Sequence, residues 1–84
     1  TNKDLLIYPN PIISGSNLKI LNLANGENVI NIYNIIGQYI YNIKKSTTGN
    51  STTISLPELN TGVYLLKIDN NLENISTIKR LVIK

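Results

Sequence analysis

Leu56-Pro57-Glu58-Leu59-Asn60-Thr61-Gly62-Val63-Tyr64-Leu65-Leu66-Lys67-Ile68 is the stretch whose reading decides the fold. Val63 to Ile68 is strand-length, and a period of two puts Tyr64, Leu66 and Ile68 on one face. Just upstream, Thr52-Thr53-Ile54-Ser55-Leu56 alternates cleanly, with Ile54 and Leu56 facing one side and Thr53 and Ser55 the other. The break between them, Pro57 to Gly62, is turn chemistry, and Gly62 supplies a permissive backbone position just before the next strand. Tyr64 is expected to bury its ring and leave its hydroxyl to find a partner, as a core anchor does.

Working outward, further Gly, Pro and Asn-rich breaks fall at Pro9 to Gly15, Asn25-Gly26, Gly37, Ser46 to Asn50 and Asp69 to Asn71. They divide the chain into seven short apolar segments: Leu5 to Tyr8, Asn17 to Leu23, Asn28 to Asn34, Gln38 to Lys44, Thr52 to Leu56, Val63 to Ile68 and Ile75 to Ile83. Turn signals at such regular short intervals predict an all-β, Ig-like antiparallel sandwich of about seven strands in two sheets. Asn25-Gly26 suits a type I′ turn and predicts a hairpin between the second and third strands. Gly37 is expected to turn the chain between the third and fourth. Ile30 and Ile32 share a face, whereas Leu18-Lys19-Ile20-Leu21 reads as apolar on both sides. After Gly37 two registers compete, one with Ile40 inward and one with Tyr39, Tyr41 and Ile43 inward, because a one-residue slip exchanges the faces.

Composition agrees and excludes much chemistry. Eighty-four residues make one domain, expected to occupy residues 4–84 after a short linker remnant, and a chain of this size buries only about 60 to 65% of its unfolded surface. Fifteen Ile and eleven Leu against one Ala disfavour helix and suit a pleated, half-buried surface. There is no Cys and no His, so no thiolate, no disulfide and no usual general base near neutral pH. The five carboxylates, Asp4, Glu27, Glu58, Asp69 and Glu73, all sit at predicted turns or chain ends, which is a poor basis for a catalytic pair. No apolar run approaches the roughly 20 residues that span a bilayer as a helix, and Thr1 to Leu6 lack the regions of a signal peptide. The chain is expected to be no enzyme and to hold no metal or cofactor.

Three further patterns have a structural reading beside a functional one. Asp69-Asn70-Asn71-Leu72-Glu73 offers oxygen ligands but lacks the spacing and central glycine of a calcium loop, so it reads as an Asx-rich turn. Lys44-Lys45, Lys67, Lys79-Arg80 and Lys84 accompany Tyr39 and Tyr41, as in a nucleic-acid groove, yet the charges are scattered and the net charge is only +3. The lysines read better as solvating strand ends, and no nucleic-acid partner is expected. Asn50-Ser51-Thr52 and Asn74-Ile75-Ser76 match a glycosylation sequon too short to carry an argument.

Three punctuated motifs recur in a telling order. They are Tyr8-Pro9-Asn10-Pro11 after Leu5-Leu6-Ile7, Ile32-Tyr33-Asn34 followed by Gly37, and Leu56 to Ile68 with Gly62-Val63-Tyr64 at its centre, before a close on Lys79-Arg80-Leu81-Val82-Ile83-Lys84. In this order the chain, from about Leu5 to Lys84, resembles the type A C-terminal sorting domain of the bacterial type IX secretion system, a family of Bacteroidetes. The resemblance implies a non-enzymatic secretion signal on a cargo fused at its N-terminal side. The cargo would cross the periplasm and be received by an outer-membrane shuttle β-barrel. A sortase-like cysteine peptidase would remove the domain near or upstream of Thr1, leaving the cargo at the cell surface or secreted. It further implies that Lys79, Arg80, Leu81, Val82, Ile83 and Lys84 carry the recognition information. Tyr8, Pro9, Asn10, Pro11, Gly37, Gly62, Val63 and Tyr64 are mainly structural on this reading: the prolines end the first strand and fix the path leaving it. The last strand, apolar on both faces, is expected to pack inward while offering its edge for β-augmentation. The alternative function is an extracellular adhesion or carbohydrate-binding sandwich that stays on its cargo.

Overall fold

The computed structural model describes residues 5–47 and 51–84. The expected linker before residue 5 and the Asn50 sequon lie outside them. Seven strands form, β1 (Leu6–Tyr8), β2 (Asn17–Leu21), β3 (Gly26–Asn34), β4 (Tyr39–Thr47), β5 (Ser51–Ser55), β6 (Gly62–Asn70) and β7 (Ile75–Ile83). They pair in a three-stranded sheet, β1-β2-β5, and a four-stranded sheet, β4-β3-β6-β7, with every pairing antiparallel. This is the Ig-like sandwich expected from the alternation. The β3-β6-β7 group matches the three-stranded sheet of constant-type immunoglobulin domains, here extended by β4 at the β3 edge.

Packing follows the alternation closely. Leu18, Ile20 and Ile54 from one sheet meet Ile30, Ile32, Tyr64, Leu66, Ile68, Leu81 and Ile83 from the other, and Ile12, Leu23 and Leu56 close the ends. Each fully buried Ile or Leu contributes roughly 1.5 to 3 kcal/mol by leaving water. In β2 the pattern is cleaner than the sequence suggested: Leu18 and Ile20 are buried, Lys19 is exposed and Leu21 is half-buried. Lys19 lies on the solvent face, with its Nζ 5.9 Å from the centre of the Tyr8 ring.

Asn25-Gly26 does not close a hairpin. β2 and β3 belong to different sheets, so the segment between them crosses from one sheet to the other. Positive φ falls at Asn22 (66°) and Gly26 (103°) rather than at two adjacent central residues. A polar clamp holds the crossing instead. Asn70 Nδ2 donates to the carbonyls of Ala24 (3.3 Å) and Asn25 (3.0 Å) and to Asn28 Oδ1 (3.0 Å). Asn28 Nδ2 and the Thr47 hydroxyl both donate to the Ala24 carbonyl. Asn70 Oδ1 accepts the Glu73 N–H at 2.7 Å, so the Asp69 to Glu73 cluster is a turn organised by Asn70. Among the described residues Asn28 and Asn70 are the two buried polar ones, and no buried side-chain polar atom there lacks a partner.

The register after Gly37 is settled by a β-bulge. Tyr39 pairs with Tyr33 while Tyr41 pairs with Ile32 and Ile43 with Ile30, so Ile40 is the extra residue of the bulged strand. Tyr39 therefore lies on the outer face against Tyr33, whereas Tyr41 and Ile43 lie on the inner one. Neither alternative read from the sequence is complete.

Asn70→Ala removes the amide that serves three acceptors in a buried site. It is expected to cost about 2 to 3 kcal/mol, since stranded buried acceptors lose that much, and to lower the melting temperature by roughly 10 to 20 °C. Thermal unfolding followed by circular dichroism checks this.

Candidate functional site: the capped edge of the last strand

β3 ends, β6 begins and β7 ends at the same pole of the sandwich, because Asn34 is opposite Tyr64 and Gly62 is opposite Ile83. The three sequence motifs converge there. Each uses a different backbone device.

At the first motif the chain leaves β1 and crosses to the other sheet. Asn10 then uses its side chain as a short piece of strand: Nδ2 donates to the Arg80 carbonyl (2.8 Å), and Oδ1 accepts the Val82 N–H (2.9 Å). Ile12 continues with its backbone, its N–H donating to the Val82 carbonyl (2.9 Å) and its carbonyl accepting the Lys84 N–H (3.0 Å), in a parallel bridge. Pro9 and Pro11 flank Asn10 without N–H groups of their own, and both are exposed. Four successive outward polar groups of β7, from the Arg80 carbonyl to the Lys84 N–H, are thus satisfied from within the chain.

The second motif makes a tight turn. Asn34 Oδ1 accepts from the Ile36 and Gln38 N–H groups (3.2 and 2.9 Å), and its Nδ2 donates to Gln38 Oε1 (2.7 Å). Backbone bonds from Asn34 N–H to Gln38 O and from Gly37 N–H to Asn34 O complete it, with Gly37 at φ 89°. That conformation suits glycine. The third motif is a tyrosine corner: Tyr64, near the start of β6, is buried and donates its hydroxyl to the Asn60 carbonyl four residues upstream (2.8 Å). The same loop is tied to the first motif's exit, where the Leu59 N–H donates to Ser14 Oγ (2.6 Å).

The expected recognition stretch is divided by this arrangement. Leu81 and Ile83 are fully buried core residues, Lys79 and Val82 are half-buried, and Arg80 and Lys84 are exposed. Their strand is not apolar and buried on both faces, because the outer face is open to water. Its edge between Arg80 and Lys84 is not free for strand addition either, since Asn10 and Ile12 occupy it. Val63, opposite Val82, is exposed on the outer face. Asn10 as the partner of β7 had no sequence signal, because the two are separated by 70 to 72 positions.

The nucleic-acid grouping is pulled apart. Tyr39 and Tyr41 fall on opposite faces, and Tyr39 meets Tyr33 edge-on at 69°, which makes no flat stacking platform. Among the described residues no group of three or more Asp or Glu side chains gathers as metal ligands would.

Two predictions test the geometry. Tyr64→Phe is expected to cost about 1 kcal/mol for the lost hydrogen bond, and Tyr64→Ala about 3 to 5 kcal/mol for the cavity, as read from denaturant unfolding. Asn10→Ala is expected to cost about 1 kcal/mol and to speed hydrogen exchange at the Val82 amide while leaving Ile30 and Leu66 protected.

Comparison with known proteins agrees with this architecture. No curated protein matches the chain. A solved structure of PorZ from Porphyromonas gingivalis, described as an essential bacterial surface component of the type IX secretion system, shares the fold with a TM-score of 0.68 at 18% identity. That match covers 95% of this chain and 11% of that one. The family model for the secretion system C-terminal sorting domain matches residues 6–84, so the chain belongs to the family of secretion system C-terminal sorting domains.

Proposed function

We propose that the domain labels an N-terminally fused cargo for the type IX translocon and does so as a folded sandwich. Membership of the sorting-domain family makes it a sorting signal for export to the cell surface or for secretion, in a family that is not a class of enzymes. The observation that carries the finer reading is that all three motifs lie at the pole where β7 ends. The first of them bonds directly to that strand, where Asn10 and Ile12 engage the backbone of Arg80, Val82 and Lys84. In this reading the cargo passes through the periplasm, and an outer-membrane shuttle β-barrel receives the domain at that pole. A sortase-like cysteine peptidase then cuts upstream of the sandwich. Lys79 to Lys84 act in two ways: Leu81 and Ile83 hold the fold, and Arg80 and Lys84 present charge.

The test is a fluorescent reporter carrying an export signal and this domain, expressed in a type IX-competent bacterium. Removal of residues 79–84 should leave the reporter in the periplasm. Arg80→Glu combined with Lys84→Glu, both exposed, should reduce surface delivery while the melting temperature stays within a few degrees of the parent. Normal delivery of both variants would refute the assignment of recognition to this stretch.

A further inference from the structure

The β3–β4 turn exposes apolar surface that the fold does not require. Ile35 and Ile36 are 69% and 76% exposed, at turn positions where polar residues ordinarily sit. The turn holding them is rigid by construction, closed by three side-chain bonds involving Asn34 and two backbone bonds. Its base is braced on the outer face by Tyr33 against Tyr39, with ring centroids 6.2 Å apart. The backbone that carries two branched side chains is therefore fixed beforehand, which lowers the ordering cost of a contact.

Charge narrows the kind of partner. No charged residue occurs between Glu27 and Lys44, so the turn and the strand segments next to it, residues 28–43, are neutral. An anionic lipid, a phosphate or a nucleic acid would find no cation on this turn to pair with. An exposed, uncharged pair of isoleucines at a hairpin tip is also an aggregation hazard that natural surfaces usually break with a charge, and here no charge stands beside it in the turn. The turn shares its pole with the capped end of β7.

From these observations we infer that Ile35 and Ile36 form a preorganised knob that enters an apolar, uncharged pocket of a protein receptor. The inference rests on the sorting function proposed above and adds a second contact to it, made by a turn rather than by the last strand. The knob supplies apolar fit; Arg80 and Lys84 supply charge on the neighbouring side of the same pole.

The reporter fusion tests this in four arms. The parent fusion must reach the surface; if it does not, the sorting function itself fails for this chain. With the parent delivered, Ile35→Thr combined with Ile36→Thr keeps β-branching but adds hydroxyls. This variant should lower delivery about tenfold or more, the factor that corresponds to each 1.4 kcal/mol of lost burial, with an unchanged melting temperature. Ile35→Leu with Ile36→Leu should retain most of the delivery. Delivery of the Thr pair at the parent level, or equal loss in the Leu pair, overturns the knob. Sedimentation of the purified parent fusion, but not the Thr pair, with phosphatidylethanolamine–phosphatidylglycerol vesicles would also overturn it, in favour of a membrane contact.

Discussion

A single side-chain amide begins the closure of the outer edge of β7. Asn10 presents a donor and an acceptor at the spacing of a neighbouring strand, and β7 meets them with the Arg80 carbonyl and the Val82 N–H as if the ladder continued. An uncovered edge is a template for pairing with other chains. Here the terminal half of that edge is occupied by the chain's own first crossing segment, and Ile12 carries the pairing on through its backbone. The burial of Leu81 and Ile83 depends on β7 lying flat against β6, and the crossing segment holds it from the other side. Between Arg80 and Lys84 the outer backbone is already engaged, so what this end of the strand presents outward is side chains.

The two poles of the sandwich are built differently. At one, Asn28 and Asn70 form an amide network that pins the crossing loop and the β6–β7 turn, with the bond between the two side chains buried and the rest partly so. At the other, Asn10 and Asn34 work at the surface, Asn10 capping the edge of β7 and Asn34 closing the β3–β4 turn. Four asparagines thus fix loop paths that hydrophobic packing leaves undetermined. The core supplies cohesion without much direction, since Ile and Leu impose few angular constraints. The amides supply direction.

How much of this was legible depended on range. Alternation at Ile54 and Leu56, and at Tyr64, Leu66 and Ile68, marked strands and inward faces, because burial on a pleated sheet writes a period of two into the sequence. Asn25-Gly26 misled because dipeptide turn chemistry is local, while the choice of sheet for β2 and β3 is set by non-local packing. The stretch after Gly37 resisted a register because a bulge changes the phase of alternation at Ile40, and no periodic pattern survives that. Asn10 was seen only as part of Tyr8-Pro9-Asn10-Pro11. Its partners lie at the far end of the chain, and nothing in the residue itself announces them. Family resemblance picked out the motifs by their order along the chain without revealing that they meet at one pole.

The 70-residue separation between Asn10 and Arg80 has a bearing on biosynthesis. Contacts of long range cannot form until both partners exist, and such contacts slow the folding of β sandwiches. A ribosome adds roughly 5 to 20 residues per second, so Asn10 and Ile12 wait several seconds for the strand that completes them. A chain interrupted before Leu81 lacks the two aliphatic side chains that fill that end of the core and leaves the crossing segment without its partner. The finished sandwich thus requires translation to have passed Ile83, which is buried in the core. Under the sorting role proposed above, a chain cut short before Leu81 would carry an unfinished label.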